Sequence, residues 1–210
     1  MASKNKLTVQ HYSRPGEGAL IATVRPKIGP TGEANSEHLS IDLASAPVPD
    51  RRYAAEVGAV VQSQDMLRIL FGQTKAIGKG LSSLLIIHVS FRAARAFLHS
   101  ASGVVKNASD HLAKYNVEKA SLLELEGQTE PTQTATVEAN VIAAAFAGRE
   151  ACIDFYHASS FALHGFGITG KFYADPTVRV TLAVPLFIAI YEWLLSHKNE
   201  LPADEVEDLL

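Results

Sequence analysis

The stretch Leu84-Leu85-Ile86-Ile87-His88-Val89-Ser90-Phe91 decides the fold. Leu84 to Val89 reads as a strand, because branched side chains suit a pleated, half-buried surface. Ser90 stands where a helix N-cap belongs, its hydroxyl placed to accept from a free amide of the first turn. Beyond it Phe91, Ala94, Leu98, Ala101, Val105, Ala108, Leu112 and Tyr115 recur at steps of three and four, the stripe of one amphipathic helix. Gly103 costs about 1 kcal/mol inside a helix, so the stripe leaves room for a bend or break there.

Upstream, Glu56-Val57-Gly58-Ala59-Val60-Val61 and Met66-Leu67-Arg68-Ile69-Leu70-Phe71 flank the turn Gln62-Ser63-Gln64-Asp65 and read as a hairpin. A glycine-bearing loop, Gly72 to Gly80, joins this hairpin to Leu84. The order is strand, strand, loop, strand, helix. After a linker at 126–134 the same order returns. Thr136 to Phe146 is strand-like, Ala147-Gly148-Arg149-Glu150 turns, and Ala151 to Tyr156 answers it. A loop then runs through Gly165, Gly167 and Gly170 to Asp175-Pro176. Val178 to Val184 alternates as a strand, and Pro185 opens a helix through Trp193 and Leu194, since a missing N–H costs nothing in the first turn.

The expected fold is therefore α+β: two antiparallel-sheet-plus-helix repeats related by pseudo-symmetry. The alternative is an α+β chain whose halves share an element order without common origin. The expected organisation is a flexible leader at 1–16, N-terminal strands at 17–52, repeat 1 at 53–125, the linker at 126–134, repeat 2 at 135–198 and an acidic tail at 199–210. Within 17–52, Ala19 to Val24 reads as a strand stopped by Pro26, Gly29-Pro30-Thr31-Gly32 as a turn, and His38 to Leu43 as a half-buried strand.

Composition narrows the function classes. The chain has 210 residues, 47% hydrophobic and 20% charged, with net charge −3. It is too apolar to be disordered throughout and too weakly charged for a generic nucleic-acid binder. One cysteine, Cys152, excludes an internal disulfide framework and a CxxC zinc site, and fits a reducing compartment. No apolar core follows the basic N-terminal residues, so no secretory signal is read there. Val180 to Leu195 is interrupted by Pro185 and Glu192 and falls short of the roughly 20 apolar residues that span a bilayer. A soluble, cytoplasmic protein without a membrane span is expected.

No catalytic signature emerges. Gly72-Gln-Thr-Lys-Ala-Ile-Gly78-Lys-Gly80 superficially suggests a phosphate loop, but five residues separate Gly72 from Gly78 and Gly80 replaces the magnesium-binding hydroxyl. The loop also precedes a strand, not the helix N-terminus that an anion needs. His157 and His164, with Asp154 or Asp175 nearby, make at most a weak metal site, because no third ligand is spaced for it. Cys152 lies among Ile153 and Phe155 and reads as a core or interface residue, without the electropositive setting of a nucleophile. No enzyme, metal or cofactor is expected. The tail from Asn199 to Leu210 carries five acidic residues with Leu201, Val206, Leu209 and Leu210 among them, a solvated end or a docking peptide.

Each half resembles a small family of uncharacterised bacterial domains in which a strand ends in a Leu-Asp-Phe-Gly-like motif and a Ser-Pro pair starts the helix. Ile69-Leu70-Phe71-Gly72-Gln73 and Ile153-Asp154-Phe155-Tyr156 stand at the first motif, and Val89-Ser90 and Val184-Pro185 at the second. Leu70 replaces the Asp in one half, and Tyr156 the Gly in the other. The plan is more distantly similar to the export chaperone SecB. That resemblance implies a non-enzymatic protein that holds an unfolded polypeptide, with the acidic tail as an echo. The expected lining is the solvent-side face of the strands: Val57, Val61, Met66, Phe146, Phe155 and Phe161. The alternative is a structural or assembly subunit that forms a homo-oligomer through edge strands. A third reading, an enzyme or small-ligand protein using the loop from His157 to Asp175, has least behind it.

Overall fold

Alternation of branched and polar residues builds most of the strands, in a computed structural model that describes residues 13–14, 17–18, 20–28, 34–41, 48–75, 81–124, 134–159 and 171–201. In chain order these hold β1 (Ser13–Arg14), β2 (Glu17–Gly18), β3 (Leu20–Ile28), β4 (Ala34–Ile41), β5 (Arg52–Ala55), β6 (Val57–Gln62), β7 (Leu67–Thr74) and β8 (Leu81–Val89). Helices α1 (Phe91–Ser100) and α2 (Ser102–Lys114) follow, then β9 (Ala135–Ala139), β10 (Val141–Ala147), β11 (Glu150–His157), β12 (Lys171–Ala183) and α3 (Val184–Ser196). The fold is α+β.

One sheet has the order β6-β7-β8-β9; in the other, β10-β11-β12 is extended by β5 and by the β3–β4 hairpin, both paired to β12. Sheets antiparallel throughout were expected, and this is corrected: β9 runs parallel to β8, and β5 parallel to β12. The strand expected over Thr136 to Phe146 is broken at Asn140, and its two pieces join different sheets. Asn140 makes the break possible because its amide mimics a ladder rung, donating to Ala158 O and accepting from Ala158 N, both at 2.7 Å. The other break, at Glu56, is held from Thr74, whose backbone N–H donates to the Glu56 carboxylate at 2.9 Å and whose hydroxyl donates to it as well.

The two sheets share their pairing in detail. Gly58 opposes Phe71 and Phe71 opposes Leu85; Ile142 opposes Phe155 and Phe155 opposes Val178. The register shifts immediately after Phe71 in one and immediately after Phe155 in the other. At the first shift Gly72 is required, since a Cβ there would sit 2.8 Å from the Ser82 carbonyl oxygen. The β10–β11 hairpin turns through Gly148 at φ +62°, a positive angle that glycine takes without strain.

Ser90 caps α1 as expected, accepting from Ala93 N at 3.2 Å. The single long helix expected over 91–115 is instead two, meeting at Ala101 (φ −85°, ψ −6°), close before Gly103. Proline opens α3 as expected. Apolar nearly all round, α3 buries Leu186, Phe187, Ile190, Tyr191 and Leu194, as such a helix must. It crosses β6 at Gly58, where a Cβ would lie 3.5 Å from Leu186 Cδ1. Tyr191 donates to Leu98 O at 2.9 Å and meets Phe97 edge-on, tying α3 to α1. Phe71 and Phe155, 6.1 Å apart and T-shaped, join the sheets at the centre of the core.

Three expectations at the termini change. Ser13 and Arg14 pair with Gly18 and Glu17, so the end of the expected leader holds a strand. Pro26 lies within β3 and does not stop it; beyond Thr23 that strand has only β4 as a partner, and one open side accommodates a residue without an N–H. Leu201, in the tail read as a solvated end or a docking peptide, is buried, and Arg95 donates to its carbonyl, against the solvated reading at this residue. Residues 1–12, 125–133 and 202–210, holding most of the expected leader, linker and tail, lie outside the described residues. No helix among the described residues is long and apolar enough to cross a membrane.

Candidate functional site

Alternation along β6 turns Gly58 and Val60 towards α3 and the core, and Val57, Ala59 and Val61 to the opposite face. Val57 and Val61 are half-buried there, and Met66, half-buried, closes the hairpin, its carbonyl accepting from Ser63 N and Oγ. The other expected lining residues stand elsewhere. Phe146 is half-buried on the core side of β10, its ring 6.2 Å from His111. Phe155 is corrected outright as a surface residue: at 0% exposure it is the centre of the core, because β11 turns its odd positions inward. Phe161 lies outside the described residues. The six therefore do not form one surface.

A cleft of about 460 Å³ does gather at the end of β6. Its lining is Val60, Val61, Gln62, Leu122, Leu123, Glu124 and Trp193. Three separate segments supply it. The end of β6 gives the floor, the irregular stretch after α2 gives one wall, and the last turn of α3 gives the other. Leu123 N donates to Gly58 O at 2.9 Å, fixing the wall against the strand. Trp193 is held by the His197 ring stacked on it at 3.9 Å, and His197 Nδ1 lies 2.8 Å from Trp193 O. Of the expected lining residues that the structure describes, only Val61 belongs to this cleft. Sequence reasoning missed the rest, although the only tryptophan and the Leu122-Leu123 pair outside any regular element were visible signals.

A polar cluster occupies the outer face of the other sheet. Arg179 donates to Asp154 through Nε and Nη2, both at 2.6 Å, a bidentate pair between directly opposed residues. This hydrogen bonding to Asp154 holds the guanidinium above its ordinary pKa. The Tyr156 hydroxyl is pushed well above its ordinary value by burial first and by the Asp154 charge second. Cys152 is pushed up by burial, which outweighs Arg179 nearby, so its thiol is disfavoured as a thiolate. The Arg179–Asp154 pair joins strand β12 to β11.

His157 opposes Asp175 across the β11–β12 pairing, and its Nδ1 is buried with no hydrogen-bond partner among the described residues. His164 lies outside them. Among the described residues no three His, Cys, Asp or Glu side chains converge as a metal site.

No family model, curated protein or solved structure matches the chain.

Proposed function

We propose that this chain is a non-enzymatic, cytoplasmic polypeptide-binding protein, a chaperone or adaptor of SecB-like plan whose halves descend from one duplicated unit. The matched registers and the paired shifts after Phe71 and Phe155 support the duplication. The observation that carries the binding reading is the cleft at the end of β6, apolar in Val60, Val61, Leu122, Leu123 and Trp193 with a single charge, Glu124. A lining of aliphatic side chains and one large aromatic with a few polar groups suits a polypeptide's apolar side chains. The full chain should suppress aggregation of a reduced, unfolded client, and Trp193→Ala should weaken that suppression about tenfold. Full activity of Trp193→Ala would contradict this site, and no suppression by the wild type would contradict the function.

The assembly reading retains one supporting feature: β6 and β10 each end a sheet. Pairing of such edges between chains makes a symmetric dimer. Sedimentation of the native chain at micromolar concentration separates the readings, a dimer favouring assembly.

A further inference from the structure

The edge of β6 is the feature that the binding reading leaves unused. Gly58 O points away from β7, because it accepts from Leu123 N. With a strand period of two, the N–H and C=O groups of Val60 and Gln62 point the same way. Leu123 supplies the rung at Gly58, yet among the described residues no backbone group pairs with Val60 or Gln62 on that side. These groups, unpaired among the described residues, border the cleft, between Trp193 on one hand and Leu122 to Glu124 on the other. Unpaired edge groups are a ready template for another extended chain. The Leu123 rung shows that a backbone amide already pairs with this edge.

We infer that a client is captured by strand addition: an extended segment continues the ladder at Val60 and Gln62, sets apolar side chains against Trp193 and Leu122, and places a lysine or arginine near Glu124. The inference rests on the polypeptide-binding reading and specifies its mode and the partner's chemistry. Main-chain bonds supply affinity without regard to sequence, while alternate side chains supply selection. The charge preference follows from Glu124, the only charged residue lining the cleft among the described residues. An acidic segment, this chain's own C-terminal residues included, is disfavoured there for the same reason.

The test uses the full chain and a short, end-capped peptide of alternating valine and lysine. Trp193, the only tryptophan, is the readout. The peptide should shift the emission saturably, and methylating its alternate backbone amides, which removes donors but leaves side chains, should weaken binding about tenfold. Val60→Pro should weaken the parent peptide similarly, since proline removes an outward N–H at an edge that tolerates it. A valine–glutamate peptide should bind several-fold more weakly, and Glu124→Gln should narrow that gap. Should Val60→Pro fail to fold, the methylated peptide still decides. Equal binding of parent and methylated peptides overturns strand addition while leaving polypeptide binding intact, as does client protection without peptide binding. A dimer that Val60→Pro dissociates also overturns the inference, because a second copy then fills the edge. Absence of both client protection and peptide binding removes the binding reading, and this inference with it.

Discussion

The two sheets carry different chemistry on the same framework. On the face of the first turned from Phe71, the row next to Phe71 reads Ala59, Leu70, Ile86, Thr136. Across the second it reads Ala143, Asp154, Arg179, Arg52. Leu70 opposes Ile86 where Asp154 opposes Arg179, one strand position before Phe71 and Phe155 respectively. The register around Phe71 matches the register around Phe155, while the row on the opposite face differs. A paired aliphatic contact and a bidentate ion pair therefore solve the same problem, joining the second and third strands. They differ in how they fail.

An aliphatic pair loses its contact when one partner is truncated, whereas an ion pair leaves a charge stranded. Asp154, nearly buried, has Arg179 as its charge partner. Asp154→Ala should cost about 3 kcal/mol in urea unfolding, the lower end for breaking a buried pair because Arg179 retains some solvent. A loss under about 1 kcal/mol would mean that the pair is ornamental. Gly72→Ala should cost about 2 kcal/mol, because its Cβ meets a backbone oxygen that cannot yield cheaply. Tyr156 follows the shift in the second sheet, where Gly72 does in the first; a neutral Gly72→Ala would show that the two shifts differ less than their side chains suggest. Transplanting the aliphatic pair, Asp154→Leu with Arg179→Ile, should return stability to within about 1 kcal/mol of the wild type, because an ion pair and a packed aliphatic pair are often equivalent. Failure of the double variant to recover what Asp154→Ala loses would break the equivalence.

Smaller effects sharpen the comparison at the helices and the breaks. Ser90→Ala should cost about 1 kcal/mol by removing the α1 cap. Ala183, the corresponding residue before α3, makes no side-chain cap bond, so Ala183→Ser should gain a fraction of that in the same assay. The break at Glu56 has its own pH signature. Hydrogen bonds from Thr74 lower the Glu56 pKa below its ordinary 4.5. Its contribution is present at neutral pH and is lost as pH falls through 4.5 towards the lower folded value. Wild type and Glu56→Gln should therefore converge in stability on acidification, with the gap reopening above that range.

Local signals made much of this fold legible. The branched run to Val89, the Ser90 hydroxyl and the proline at the start of α3 each act within a turn or so of the chain, where the sequence speaks directly. The break at Asn140 was hidden because Val141, Ile142, Ala143 and Ala144 are all buried, so no change of period marks the exchange of sheets. The parallel pairing of β9 with β8 and of β5 with β12 was hidden because it joins segments far apart in the chain. Phe155 looks outward-facing in the sequence because an apolar strand buried on both faces has no alternation to tell inside from outside. The cleft was illegible for a related reason: its lining comes from 60–62, 122–124 and 193, and no spacing rule connects them.

Backbone hydrogen exchange of the full chain, with and without a client kept unfolded by reduction and carboxymethylation, tests polypeptide capture most directly. The account predicts that client slows exchange at Val60, Gln62 and Leu122 to Glu124, while β7, β11 and α1 stay unchanged. Protection absent from β6 and from 122–124, with client bound elsewhere or not at all, would contradict it.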